Sequence, residues 1–463
     1  MKKIRIWVLC FLLILLLAGC ASPNKPDAKH PVTLTIWHTY VEQMGNEFAV
    51  LVNEFNDTVG AESGVHIESA AVANATELNA RLLDATNGVP GAPELPNLAV
   101  LYPKVALLLA NKGLLSDFGE YFSAEELAHF VPQFLEEGRL GGDTLYLLPV
   151  AKSTEVLYVN RTMFDRFAAE TGVTLAQLST FEGISVAAEK YYVWTDAKTP
   201  DVPNDGKTFY YPDNLFNHAV IGFEQQGKDF LASEKLNTSA QEYKRIWNLY
   251  YPQAISGGVA VYNNFGNYLA MTGDVVCVTG TSAGAMFYPD SVTYADNTKE
   301  NVLFDVLPYP IYEGGEKVAM QRGGGICSLK SEPQKEYAAA IFLKWLTAPE
   351  QNLRFAASAG YLPVTQEAFS LITAGNTKYS SNQKIQKMLE TTAKMQGDYR
   401  FYIPPVFETY DSLSTAYNSE LYELAKQDRK RYLALPETDE SPETQWAQIS
   451  LEAYERFEKK VNS

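Results

Sequence analysis

Positive charge is scarce in this chain: 38 Lys and Arg stand against 55 Asp and Glu in 463 residues, a net charge of −17. Such a surface has little attraction for a phosphate backbone or an anionic lipid headgroup, so no nucleic-acid partner is expected. Histidine is rarer still. His30, His38, His66, His129 and His218 never pair at i, i+4, and none joins a cysteine at ligand spacing, so no metal site is indicated. Asp201 to Gly206 opens like a calcium loop, but Pro203 replaces a ligand and Pro212 stands where the closing Glu belongs. The run Gly323 to Gly325 lacks the Lys-Ser/Thr of a phosphate-binding loop. No cofactor is expected. Internal repeats and coiled-coil heptads are also lacking.

Long apolar runs are missing apart from Ile6 to Ala18, thirteen residues and too short to span a bilayer comfortably. Lys2, Lys3 and Arg5 precede it, and Leu17-Ala18-Gly19-Cys20 closes it. This order reads as a secretory signal and resembles the lipobox of bacterial lipoproteins. The resemblance implies cleavage after residue 19, lipid attachment at Cys20, a polar Pro-containing tether over 20–31, and an extracytoplasmic protein anchored to the bacterial cell membrane. Removing residues 1–19 takes away three of the 38 basic residues and none of the 55 acidic ones, leaving −20. With residues 1–19 removed and Cys20 lipidated, only Cys277 and Cys327 remain as thiols, each in a predicted strand. An exported compartment permits a disulfide, and two buried free thiols fit equally well.

What is abundant is ordinary globular material. With 46% hydrophobic and 20% charged residues, the chain has enough for two or three cores. Val32, Leu34 and Ile36 alternate as a strand, followed by a helix with Val41, Met44, Phe48, Leu51, Val52 and Phe55 at helical spacing. Thr39 and Glu42 match a capping box for that helix. Strands are expected at 65–70 and 98–101, with helices near 76–87 and ending at Gly113. This βαβ rhythm implies an α/β fold with a mostly parallel sheet. Further strands are expected at 145–150, 156–159, 275–279 and 325–329, and a helix at 161–170. The Tyr-, Pro-, Asn- and Asp-rich stretch 191–227 reads as long loops and short helices, and the chain beyond 335 as largely helical.

Gly280-Thr281-Ser282-Ala283-Gly284 matches the Gly-x-Ser-x-Gly turn of α/β-hydrolases and follows a predicted strand. That arrangement needs a His after the Ser, and the last His is His218. A secreted serine hydrolase using Ser282 is therefore the weaker alternative, and no enzyme activity is expected. Ser282 reads better as a hydrogen-bonding group at a turn. Aromatics form 12% of the chain, and Trp37 with His38 stands out at the end of the first strand, where open α/β sheets bind ligands.

Trp37-His38, the segment Lys152 to Asn160, Gly273-Asp274 leading into Thr281 to Gly284, and Gly360-Tyr361-Leu362-Pro363-Val364 form an ordered series. With the lipobox, the series resembles the family 1 extracellular solute-binding proteins of ABC importers. That resemblance implies a two-lobe, type II periplasmic-binding-protein fold with hinge strands and a ligand cleft. The lobes are expected over 32–148 plus 281–328 and 149–280 plus 329–463. It also implies a small-molecule solute, ABC permease subunits as partners, and a monomer. Within the family the chain is similar to the glycerol-3-phosphate and glycerophosphodiester binders. That likeness points to Tyr102, Ser153, Ser282, Gly324, Tyr361 and Arg400 as ligand-binding residues beside Trp37 and His38, with Arg400 gripping an anion. Pro103 and Ala71 depart from the subfamily at the glycerol end. A different phosphorylated polyol or an uncharged mono- or oligosaccharide is thus the alternative ligand.

Overall fold

Alternating Val32, Leu34 and Ile36 bury one face of β1 (Val32–His38), since successive strand side chains point to opposite sides. The structure is a computed structural model and describes residues 25–232, 235–375, 380, 382–436 and 441–461. Cys20, the signal 1–19 and the start of the tether lie outside the described residues.

From β1 the chain enters α1 (Glu42–Phe55), whose Met44, Phe48, Leu51, Val52 and Phe55 are buried. The expected Thr39 cap is not used. Tyr40 turns back so that its N–H donates to the His38 ring, Val41 becomes the residue before the helix, and Glu42 adopts a φ of 51°. β2 (Val65–Ala71) runs parallel to β1, and α2 (Ala75–Thr86) starts where the Asn74 side chain accepts from the Glu77 N–H. β3 (Leu98–Leu101) pairs parallel on the other side of β1, and α3 (Pro103–Asn111) follows with Pro at its first position. The expected strand at 145–150 is reduced to a single bridge, Leu148 to Ile326.

β4 (Glu155–Asn160) is buried along its whole length. Asn160 caps α4 (Arg161–Thr171) through the Met163 N–H, and α5 (Phe181–Asp196), β5 (Tyr210–Pro212) and α6 (Leu215–Gln225) come next. The expectation of long loops and short helices over 191–227 holds in part: 197–209 carries no helix or strand, whereas 191–196, β5 and α6 are regular. Tyr191, Phe209, Tyr210 and Tyr211 are buried, and the Tyr191 ring lies 5.1 Å from Phe167 and 5.5 Å from Phe209. Packing among rings overrode the turn-like composition there. The chain continues through α7 (Gln241–Ser256), α8 (Gly266–Thr272), β6 (Cys277–Thr281), β7 (Phe304–Pro308) and β8 (Val318–Met320). These strands form a sheet in the order β7-β4-β6-β5, with β4 antiparallel to both neighbours.

β9 (Gly325–Ser328) then pairs antiparallel with β3, giving the order β9-β3-β1-β2, and α9 (Pro333–Leu346) packs on β1. The last part holds α10 (Gln383–Asp398) against β7, β10 (Arg400–Tyr402) parallel to β8, and α11 (Tyr410–Leu433) with α12 (Pro442–Val461) against α7.

By its contacts the chain forms two units. The first comprises the described residues of Met1–Val150 with Gly324–Phe355, and the second Ala151–Gly323 with Ala356–Ser463. This division differs from the expected lobes at residues 149–150, which fall in the first unit, and at two longer segments. Residues 281–323 belong to the second unit because β7 and β8 pair there with β4 and β10, and 329–355 belong to the first because α9 covers β1. The sheets are mixed rather than mostly parallel: β9 runs against β3, and β4 against both neighbours. Cys277 and Cys327 are free and buried, one in each unit, and burial pushes both thiols up. No helix among the described residues is long and apolar enough to cross a membrane.

Candidate functional site

In the second unit the short segment from Lys152 to Glu155 binds several distant parts of the chain through its backbone. Lys152 pairs with Leu362 and Ser153 with Arg322, each exchanging two N–H to carbonyl bonds of 2.7–3.0 Å. Thr154 accepts from the Ser282 N–H at 2.8 Å and donates its own N–H to the Ser282 hydroxyl at 3.2 Å. Glu155 stands opposite Thr281 in the β4–β6 register. Extended backbone makes this possible, since both edges of the segment offer donors and acceptors. Two side chains lock it further: the buried Lys152 ammonium donates to the Gly323 carbonyl at 2.9 Å, and Thr154 Oγ1 donates to the Met320 carbonyl at 2.9 Å.

Three of the expected ligand groups are thereby brought to one place. Ser153 lies within the segment, Ser282 is bonded to its Thr154, and Tyr361 precedes Leu362. Among the described residues no partner of the Ser153 hydroxyl is found, so it is held by its backbone with its side chain uncommitted. Ser282 is fixed on both sides, and its carbonyl also accepts from the Tyr158 hydroxyl at 3.1 Å.

Beside these hydroxyls lies a charged group that the sequence had not singled out. Glu155 is only 4% exposed; it accepts from Asn217 Nδ2 at 2.7 Å and from Arg322 Nη1 at 3.4 Å. Burial pushes its carboxyl above the usual range, against the opposing pull of Arg322 and Asn217. Asp213 follows β5, donates its N–H to the Thr279 carbonyl at 3.0 Å and accepts the Gly266 N–H at 2.7 Å. Burial raises its carboxyl too, while Gly266 and the charge of Arg322 lower it. The half-exposed Arg322 pairs with Glu155, and only its charge reaches Asp213.

Arg400, expected to grip an anion, stands elsewhere. It opens β10 opposite Val318, and its guanidinium pairs with Glu224 at 2.9 Å. Arg322 lies four residues beyond Val318 in the sequence, about 13 Å along an extended strand at roughly 3.3 Å per residue. In the sequence Arg322 is the residue directly before the Gly323 to Gly325 run. Glu155 lies within the Lys152 to Asn160 segment, directly before the strand expected at 156–159.

The remaining expected residues belong to the first unit. Trp37 is buried in the apolar cluster with Leu78, Leu82 and Leu101. His38 is buried too; its Nδ1 accepts the Tyr40 N–H at 3.2 Å, its ring stacks on Tyr40 at 5.2 Å, and burial pushes its pKa down to about 4. Tyr102 is exposed at the start of α3. At Gly324 a Cβ would fall 2.3 Å from the Leu101 carbonyl, so close strand packing requires the glycine.

The Gly-x-Ser-x-Gly turn does not assemble a nucleophile. Ser282 opens a short 3-10 turn, and its hydroxyl accepts a backbone N–H, with no His bonded to it among the described residues. His218 instead meets the Tyr312 hydroxyl at 3.0 Å. No group of three metal-ligating side chains occurs among the described residues.

Residues 51–387 match the family described as bacterial extracellular solute-binding protein. Comparison with curated protein sequences finds no match. Among solved structures, the chain is similar to the cyclic alpha-maltosyl-1,6-maltose binding protein from Arthrobacter globiformis, at 18% identity and TM-score 0.67, covering 93% of this chain and 100% of that one. It is similar to UgpB from Mycobacterium tuberculosis, solved in complex with glycerophosphocholine, at 15% identity and TM-score 0.62, covering 93% and 99%. The sugar-binding protein MalE from Xanthomonas citri shares 14% identity at TM-score 0.65 over 93% and 98%. At these identities the likeness is one of fold, and the family match spans most of the sequence. The chain belongs to the bacterial extracellular solute-binding proteins.

Proposed function

We propose that this protein is the solute-capturing component of an ABC importer, holding a small polar solute and passing it unchanged to the permease subunits in the membrane. The observation that carries this reading is the Lys152 to Glu155 segment, which gathers Ser153, Ser282, Tyr361 and Arg322 in one unit. Fixed donors of this kind favour a solute that pairs with them and reject one that leaves them unpaired. Arg322 is the cation proposed to face the solute, and Arg400 is assigned to holding β10 against Glu224. Family membership supports a binding role over an enzymatic one. The solved neighbours bind maltosyl sugars and glycerophosphocholine, so sugars and glycerol phosphodiesters are the proposed solute range. Lipid attachment at Cys20 and a monomeric state complete the proposal.

The test is a thermal-shift panel on the full-length protein with sugars, sugar phosphates, glycerol phosphates and glycerophosphodiesters. A solute at a hundredfold excess over its Kd stabilises the folded state by about 2.7 kcal/mol. At least one of these classes is expected to raise the melting temperature, and a panel without any shift contradicts the proposal.

A further inference from the structure

We infer that Asp213, together with the exposed rings of Phe265 and Tyr268, gives the second unit a recognition face for a neutral, hydroxyl-rich sugar ring rather than for a phosphorylated solute. The inference rests on the solute-capturing role proposed above and narrows its chemistry.

The segment carrying the rings is pinned from below. The Tyr211 hydroxyl donates to the carbonyls of Tyr262 at 3.2 Å and Asn264 at 2.9 Å, and Asp213 takes the Gly266 N–H at 2.7 Å. Gly266 is buried against β6, where a Cβ would fall 2.4 Å from Val278 Cγ1. Its neighbour Phe265 faces outward at 65% exposure, with Tyr268 at 47%, their rings 6.3 Å apart in an edge-to-face pair. Large rings held in the open on an anchored backbone offer apolar area at a small ordering cost, since each ring has only two side-chain torsions to fix.

The carboxylate that anchors this segment does so through one oxygen only. Oδ1 of Asp213 is used by Gly266, whereas no partner of Oδ2 is found among the described residues. Next to Oδ2 stands Gly280, where an added Cβ would meet nothing nearer than Asp213 at 3.7 Å and the Tyr288 hydroxyl at 3.8 Å. Neither packing nor a left-handed φ demands a glycine there. The missing side chain leaves room for a methyl-sized group at contact distance from a carboxylate oxygen and a phenol.

Charge selects what fills that space. Asp213 and Glu155 place two carboxyl groups near the one guanidinium of Arg322, so a phosphate dianion would meet more acceptors than cations. Sugar hydroxyls donate to carboxylates in short, charge-assisted bonds, and a pyranose face is suited to an aromatic ring.

The experiment titrates the full-length protein with matched pairs: maltose, maltotriose and glucose against glucose 6-phosphate, glycerol 3-phosphate and glycerophosphocholine. A neutral sugar is expected to bind most tightly. Asp213→Asn, which keeps an acceptor for Gly266, is expected to weaken it roughly tenfold or more, and Phe265→Ala roughly threefold or more, both with an unchanged melting temperature without solute. Tighter binding of a phosphorylated solute, or unchanged sugar affinity in both variants, overturns the inference while leaving the capture role standing. Absence of binding by every solute overturns both.

Discussion

At the scale of single residues, the second unit separates two arginines that look equivalent in the sequence. Arg322 reaches the buried Glu155 beside Ser153 and Ser282, whereas Arg400 is spent on Glu224 at the far end of the paired strands. Arg322→Ala is expected to weaken solute binding roughly tenfold or more, and Arg400→Ala to leave it unchanged, as measured by calorimetric titration. Equal losses would place the cation wrongly. Ser153→Ala, whose hydroxyl carries no internal bond, is expected to cost about three- to tenfold in affinity with no change in melting temperature. His218 supplies a test of pH dependence. Burial holds its pKa at about 4, below its ordinary 6.5, so its stabilising contribution is present above 6.5 and is lost as the pH falls toward 4. The loss is on the order of 3 kcal/mol for a fully buried group. His218→Gln, which cannot charge, is expected to flatten the fall in melting temperature between pH 7 and pH 4.5; an identical fall would show that His218 does not contribute.

Among elements, glycines mark where strands approach and where they do not. Gly324→Ala would push a Cβ to within 2.3 Å of the Leu101 carbonyl between β9 and β3. A shift of backbone of that kind costs about 1–3 kcal/mol, or a few degrees of melting temperature. Gly280→Ala meets only ordinary contacts and is expected to leave the melting temperature unchanged while reducing sugar binding. Thermal unfolding of the two variants, with and without maltotriose, checks the contrast. Much at this scale was legible: β1, α1, β2 and β3 follow from their apolar periods, and the segments singled out around Ser153 and Ser282 are joined by hydrogen bonds between Thr154 and Ser282. The elements around 191–227 were not, because Tyr191, Tyr210 and Tyr211 are polar-edged residues whose burial depends on distant partners such as Phe167 and the Thr279 hydroxyl. The same reason hid Glu155 and Asp213. Their value lies in contacts with Arg322, Asn217 and Gly266, far away in the sequence.

For the molecule as a whole, the order of motifs along the chain carried the family, while the division into units followed strand pairing that no local pattern reveals. Residues 281–323 look continuous with the glycine run that follows, yet β7 and β8 tie them to the second unit. Beyond the described residues, the order of basic start, short apolar run and Cys20 leads to a prediction for the whole protein in its cell. Cys20→Ser is expected to move it from the membrane fraction to the soluble extracytoplasmic fraction, and retention in the membrane would show another means of attachment.

The central claim is capture without chemistry. Its most direct test is to incubate the full-length protein with the solute that raises its melting temperature most, release the solute by denaturation, and weigh it by mass spectrometry against the input. The expected result is saturable binding and quantitative recovery of the unaltered compound. Appearance of a hydrolysed or transferred product at a rate set by the protein concentration would contradict it.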